Sequence, residues 1–224
     1  DVYGDVNGNW LQLGRNADCM VEDIVTAAMN AAETSLGENT IDFTRYQYIM
    51  VYAPIRAPCG FAGLALGQAT INTPDGPVSL RRSLVASDHQ TLYNHTATHE
   101  LGHNIGLGHA TLYYCGRRPY STNESDCRII EYGGFPSVMG ASNRHGHFNA
   151  VQKQHLGWLG APGVQPHEII TVTNQAGRYT LRPMSSSQPG LKALRIQRTT
   201  TGYLYVEYRQ PLGFDNELDS NSIL

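Results

Sequence analysis

The sequence of 224 residues lacks two features that would each indicate a particular class of protein. It has no apolar segment of the roughly 18 residues that a membrane-spanning helix needs, so we expect no membrane partner. It has no run of Lys or Arg, and its 16 basic and 19 acidic side chains argue against a nucleic-acid partner. Charged residues make up 16% and hydrophobic residues 41% of the chain, which is typical of a globular protein rather than a disordered one.

None of the four cysteines belongs to a C-x-x-C pair of the kind found in redox sites and zinc ribbons. Two disulfides among Cys19, Cys59, Cys115 and Cys127 are the simplest account of this even number. Of three pairings we favour Cys115 with Cys127, because they flank a polar loop, and Cys19 then pairs with Cys59 by elimination. Four free thiols in a cytosolic protein are the alternative. Because disulfides persist in oxidising compartments, we expect a secreted, extracellular protein.

Hydrophobic periodicity in the first half of the chain predicts one helix followed by three strands. Apolar residues recur on one face of a helix over residues 18–36. Aromatic and β-branched residues over 46–53 predict a strand that is buried on both faces. Further strands are predicted over 61–71 and 78–85, separated by a turn rich in Pro and Gly.

The second half of the chain changes from helical to strand periodicity. Helices are predicted over 87–105 and 149–159, with a long irregular segment between them. Four later segments alternate apolar and polar residues and predict strands, namely 168–173, 178–182, 191–198 and 203–209. We therefore expect two domains, residues 1–160 and a small antiparallel β module over 161–224. That module is short for an independent sandwich, so we expect it to belong to a longer chain.

One segment carries the residue pattern of a metal site, H-E-x-x-H followed by x-x-G-x-x-H. On a helix, His99 and His103 lie one turn apart on one face and can present two imidazole nitrogens to one ion. Gly106 can adopt a positive φ and end the helix sharply, so that His109 approaches the same ion. Three neutral ligands leave a fourth position open, as in catalytic zinc sites. Glu100 would face a water molecule at that position.

Chance does not account for this pattern. With nine His among 224 residues, H-E-x-x-H arises about 0.01 times per chain of this composition, and the added Gly and His lower that figure about 200-fold. Two alternatives stay open. In the first, the histidines are ordinary core or surface residues that bind no metal. In the second, the zinc site is kept for structure after the loss of activity. The presence of Glu100 argues against the second alternative.

This segment resembles the signature of the metzincin zinc peptidases. The sequence S-V-M-G, which contains Met139, is similar to their Met-turn, an apolar floor beneath the metal. Within that group the chain is most similar to the gametolysin-type peptidases, through A-T-H-E-L-G-H-N-I-G-L-G-H-A, E-Y-G-G-F-P-S-V-M-G and F-N-A with L-G-W-L. These segments cover roughly residues 60–160. Ala110 follows the third His, where astacin-like enzymes have Glu and adamalysin-like enzymes have Asp.

The resemblance implies an α+β fold, with a metzincin-like zincin catalytic domain followed by the β module. That domain would contain a mixed twisted sheet, an active-site helix, the Met-turn and a C-terminal helix. One catalytic Zn²⁺ would be held by His99, His103 and His109, and Glu100 would be the general base. The expected protein is a secreted zinc metalloendopeptidase that hydrolyses peptide bonds in extracellular or cell-wall proteins, with a protein or peptide as substrate.

Two other functions stay open at this point: a zinc-stabilised protein-binding module without catalytic activity, and a zinc amidase that acts on non-protein amides. Because the sequence begins at Asp1, we expect a processed mature form, and a removed pro-segment is a candidate inhibitory partner. Calcium is a further candidate cofactor, since residues 5–9 resemble a calcium loop. However, Asn16 stands where such a loop needs a bidentate Glu, so we expect a plain turn.

Overall fold

The computed structural model describes most of the chain, and the described ranges are 19–36, 41–53, 59–73, 75–86, 90–118, 121, 123–140, 146–160, 168–200, 202–219 and 222–223. These residues form three α-helices and nine β-strands in three sheets, so the expected α+β class is confirmed. None of the helices in these ranges is long and apolar enough to cross a membrane. The candidate calcium loop at 5–9 lies outside the described residues.

Contacts between Cα atoms divide the chain into two compact units, Asp1–Gly106 and Leu107–Leu224. The first unit contains the helix and three strands that periodicity predicts, and the H-E-x-x-H helix. The second contains a short hairpin, a short helix and a four-stranded sheet. The predicted domains, 1–160 and 161–224, stay a prediction.

The first unit is built on a mixed three-stranded sheet. Its elements are α1 (Val21–Leu36), β1 (Tyr48–Tyr52), β2 (Gly63–Thr73), β3 (Gly76–Val85) and α2 (Gln90–Asn104). The strand order is β1-β3-β2, with β1 parallel and β2 antiparallel to β3. Strand β2 therefore forms an edge of the sheet within the described part of the chain.

The core of the first unit combines α1 with the sheet. Ile24 and Val25 of α1 and Leu80 and Leu84 of β3 are almost fully buried in one hydrophobic cluster. Burial of each such side chain contributes about 1.5–3 kcal/mol. Strand β3 lies centrally and is the most buried. Strand β1 is only partly buried and exposed at both ends, so the predicted burial on both faces is wrong, because β1 pairs with β3 alone among the described strands.

The second unit begins with a hairpin that the sequence pattern does not predict. Its elements are β4 (Leu112–Tyr114), β5 (Arg128–Ile130), α3 (Ala150–His155), β6 (Ile169–Val172), β7 (Ala193–Gln197), β8 (Tyr203–Arg209) and β9 (Ser222–Ile223). Strands β4 and β5 are antiparallel and only three residues long each. Their side chains are mostly exposed, so they do not show the alternation that identifies a longer strand.

Both predicted disulfides are confirmed. Cys115 and Cys127 are bonded and close the loop between β4 and β5. Cys19 and Cys59 are bonded as well, which joins the start of α1 to the segment that precedes β2. The described chain therefore contains no free cysteine.

The predicted antiparallel β module is instead a mixed sheet with the strand order β6-β7-β8-β9. Strand β6 runs parallel to β7, with Ile169 opposite Ala193, whereas the other neighbours are antiparallel. The long connection between β6 and β7 explains the difference, since antiparallel neighbours are joined by tight turns and parallel neighbours by crossovers. The predicted strand at 178–182 lies in this connection and does not form.

A buried ionic network joins β8 to the segment before α3. The guanidinium of Arg209, which is fully buried, donates to Glu207 Oε1 and to Asp215 Oδ1, at 2.8 Å in each case. It also donates to the carbonyl oxygen of Phe148 at 3.1 Å. Asp215 Oδ1 in turn accepts a hydrogen bond of 2.9 Å from the backbone N–H of His147. The network thus fixes the backbone of two consecutive residues.

Candidate metal centre

Helix α2 carries the first two motif histidines on one face. His99 is buried and His103 half-buried, and their Nε2 atoms lie 3.2 Å apart. The two rings are nearly perpendicular, with an interplanar angle of 81°. The helix packs against β2 and β3, and Arg81 of β3 donates a hydrogen bond to the carbonyl oxygen of Asn104, the last helical residue. This bond satisfies a carbonyl that has no partner within the helix.

The helix ends at the turn that leads to the third histidine. Gly106 has a φ of +100°, which glycine adopts without strain. Its N–H donates to the carbonyl oxygen of His103 at 3.0 Å. After this turn, the ligand atoms of His99, His103 and His109 all lie within 4.8 Å of one another.

This donor set suits a divalent transition-metal ion. Two nitrogen ligands at 2.0–2.1 Å from a tetrahedral ion lie about 3.3 Å apart. The separation between the Nε2 atoms of His99 and His103 is 3.2 Å. Imidazole is a ligand that zinc, copper, nickel and iron share. The three histidines could therefore hold an ion of this group.

Glu100 lies next to the first ligand and is almost entirely buried. Burial raises the pKa of Glu100 to about 7, although a hydrogen bond from the backbone of Ala65 in β2 opposes the rise. A carboxyl group with a pKa near neutrality can take up a proton and release it again under physiological conditions. The Glu100 carboxyl group, which belongs to α2, is thus also contacted by the backbone of β2.

Two side chains contact His109 from the segment that follows β5. Glu131 Oε1 lies 2.7 Å from His109 Nδ1. The ring of Tyr132 lies against the imidazole, with a centroid separation of 3.8 Å and a tilt of 34°. Glu131 and Tyr132 belong to the E-Y-G-G motif, in which the sequence gives no indication of their individual roles. Gly133 and Gly134, which follow them, are the sequence signal that could have indicated a close approach of this backbone to another segment.

The turn that contains Met139 is buried and hydrogen-bonded. Gly140 N–H donates to the carbonyl oxygen of Ser137 at 2.8 Å, and Met139 itself is fully buried. The carbonyl oxygen of Met139 accepts a hydrogen bond of 2.7 Å from the N–H of Ala110, the residue after His109. The turn and the third histidine are thus joined through the backbone.

No protein-family model, no curated protein and no solved structure matches this chain. The resemblance to metzincins accordingly rests on the sequence motifs and on the arrangement of the residues within them.

Proposed function

We propose that this protein is a secreted, zinc-dependent metalloendopeptidase of the metzincin kind, with its greatest similarity to the gametolysin type. One observation carries the proposal: three imidazole ligand atoms within 4.8 Å of one another, in the order H-E-x-x-H-x-x-G-x-x-H. The 3.2 Å separation of two of these nitrogens matches one edge of a zinc tetrahedron. Protein and peptide substrates fit this chemistry.

The catalytic steps require few protein groups. His99, His103 and His109 would hold the zinc ion, which would supply Lewis-acid activation of water and of the scissile carbonyl group. The Glu100 carboxylate takes the proton from the attacking water and then gives it to the departing amine. Burial and the bond from Ala65 hold this carboxylate in place, so that it is oriented before the substrate arrives.

The buried carboxyl group supports catalysis over a purely structural site. Removing a carboxyl group from water costs free energy. A structural zinc site does not require a buried carboxyl group that is not a metal ligand. A general base whose pKa lies near the working pH, by contrast, is the arrangement that acid–base catalysis favours. In the metal-free protein, burial raises the pKa of Glu100 to about 7.

The position of β2 supports an extended peptide as the substrate. Strand β2 is an edge of the sheet in the described part of the chain, and its residue Ala65 contacts Glu100. A peptide that adds to this edge by backbone hydrogen bonds would pass close to Glu100. Strand β3 pairs with a strand on each side, so β2 rather than β3 is available to an added peptide.

The experiment is hydrolysis of casein by the wild-type protein and by Glu100→Gln, each with its zinc content measured. We expect a chelator to abolish hydrolysis, added zinc to restore it, and Glu100→Gln to lose at least about a hundredfold in turnover while zinc binding is kept. Glu217→Gln, a change of the same kind at an exposed residue, is the control. Near wild-type turnover of Glu100→Gln would refute the role of the base.

The same assay distinguishes the other two functions. A wild-type protein that binds zinc and cleaves neither casein nor peptides would be a binding module. Release of products from cell-wall polymers alone would identify an amidase.

A further inference from the structure

Residues 131–134, which we call the E-Y-G-G segment, lie unusually close to the chain that follows the metal motif. The N–H of Gly134 donates to the carbonyl oxygen of Ala110 at 2.9 Å. A Cβ atom at Gly134 would lie 2.8 Å from the backbone of Ala110, and one at Gly133 would lie 2.7 Å from Cβ of Leu112. Real Cβ atoms do not approach other atoms so closely, so both glycines are required for this contact.

The close approach brings two side chains of the E-Y-G-G segment onto one ring. Glu131 Oε1 lies 2.7 Å from Nδ1 of His109, and the Tyr132 ring packs on the imidazole at a centroid distance of 3.8 Å. Tyr132 has a φ of +60°, a left-handed conformation that is disfavoured for a residue with a side chain. The contacts of the segment therefore hold Tyr132 in a conformation that is uncommon for a residue with a side chain.

The hydrogen bond to Glu131 determines which nitrogen of His109 carries the proton. An ionised carboxylate can only accept hydrogen bonds, so His109 must donate through Nδ1–H. In the neutral imidazole, Nε2 then carries the free lone pair. His99 and His103 also direct their Nε2 atoms towards each other. All three histidines would then offer the same kind of nitrogen to one ion.

We propose that Glu131 is a positioning residue for the third metal ligand: it fixes the Nδ1–H tautomer and the orientation of His109. The inference rests on the proposed function, because it takes the histidine cluster to be a metal site. Glu131 lies outside the H-E-x-x-H-x-x-G-x-x-H motif, and through it the E-Y-G-G segment would contribute to metal affinity. A carboxylate that binds the outer nitrogen of a ligand histidine also makes that ligand more basic.

An ordinary surface ion pair would behave differently. The side chain of Glu131 is 66% exposed, and exposed pairs contribute little to folding stability. Removal of Glu131 should therefore leave the thermal stability of the metal-free protein nearly unchanged. Its effect should instead be seen in the affinity for the metal and in the tautomer of His109.

The test compares the wild-type protein with Glu131→Ala, Glu131→Gln and the control Glu217→Gln. Zinc affinity is measured in competition with a chromophoric chelator. The tautomer of His109 is measured in the metal-free proteins from the ¹H–¹⁵N correlations of the imidazole nitrogens. We expect Glu131→Ala to lose about 10- to 100-fold in zinc affinity and to lose the Nδ1–H tautomer. Glu131→Gln keeps an oxygen acceptor, so it should keep the tautomer and lose less affinity.

Each result has one meaning. Zinc affinity of Glu131→Ala within twofold of wild type, with the tautomer unchanged, would overturn this inference and leave the proposed function intact. A wild-type protein that binds zinc without cleaving peptides, and in which Glu131→Ala lowers affinity, would overturn the peptidase and support the inference. A wild-type protein that does not bind zinc would overturn both.

Discussion

Gly63 of β2 lies directly against Glu100 of α2. A Cβ atom at Gly63 would be 2.8 Å from Cγ and 2.9 Å from Oε1 of Glu100, and 2.5 Å from Cγ2 of Thr96. The strand and the helix can approach this closely only because residue 63 has no side chain. The same approach brings the backbone of Ala65 within hydrogen-bonding reach of the Glu100 carboxyl group.

Gly63→Ala should therefore displace the carboxyl group of Glu100 without removing any metal ligand. We expect a loss of about a hundredfold in kcat/KM for peptide hydrolysis, because small displacements of a catalytic group have effects of that size. Zinc content should stay at the wild-type level, as measured by metal analysis of the same preparation. Thr70→Ala, at an exposed position of the same strand, is the control. Gly63→Ala with wild-type kinetics would show that the position of the carboxyl group does not depend on this contact.

Acid should destabilise the protein through His147. Burial is the main cause that lowers the pKa of His147 from 6.5 to about 4, with the charge of Lys153 as the next cause, and Asp215 opposes them. At a pH between about 4 and 6.5, His147 binds a proton in the unfolded chain and not in the folded chain. The free energy of unfolding therefore falls as the pH drops from 6.5 to 4 and is unaffected by this group at higher pH.

His147→Gln should reduce this loss, because it removes the imidazole and keeps the backbone groups that contact Arg209 and Asp215. The measurement is the urea midpoint from pH 7.5 to pH 4.5. His155→Gln, at an exposed position of α3, controls for the loss of a histidine. If His147→Gln and the wild-type protein had the same dependence on pH, His147 would not be the group through which acid destabilises the fold.

Arg209→Met should strongly destabilise the second unit. The substitution leaves Asp215, which is fully buried, and Glu207, which is 4% exposed, without their cationic partner. Removal of one partner of a buried ion pair costs about 3–5 kcal/mol. Denaturant unfolding followed by far-ultraviolet circular dichroism measures this loss, and Arg198→Met at an exposed position is the control. A loss below about 1 kcal/mol, the size expected for a surface pair, would contradict the burial of this network.

Most features that the sequence predicts correctly depend on residues close together in the chain; the Cys19–Cys59 disulfide is more distant, and its prediction follows by elimination from the Cys115–Cys127 pair. The one-turn spacing of His99 and His103 follows from helix geometry, and the pair Cys115 and Cys127 closes a short loop. The positive φ of Gly106 belongs to the same group, because a sharp turn after a helix selects glycine. Such features need no knowledge of how distant elements pack.

The features that the sequence does not predict depend on packing between distant segments. The contact of Gly63 with Glu100 exists only because β2 packs against α2. In the sequence, a glycine at position 63 indicates only that the predicted strand is less stable. The hydrogen bond between Glu131 and His109 joins the residues that precede β4 and follow β5, and strand periodicity does not predict that hairpin. The parallel pairing of β6 with β7 depends on the path of their connection, which alternation of apolar residues cannot reveal.

The most direct test of the catalytic metal site is to add zinc stepwise to metal-free protein and to measure the hydrolysis of a peptide substrate at each step. We expect activity to rise in proportion to added zinc and to reach its plateau at one zinc ion per chain, because the ligand atoms of His99, His103 and His109 are close enough to hold one ion. An absence of hydrolysis at every ratio, or a plateau only at two ions per chain, would contradict a single catalytic zinc site.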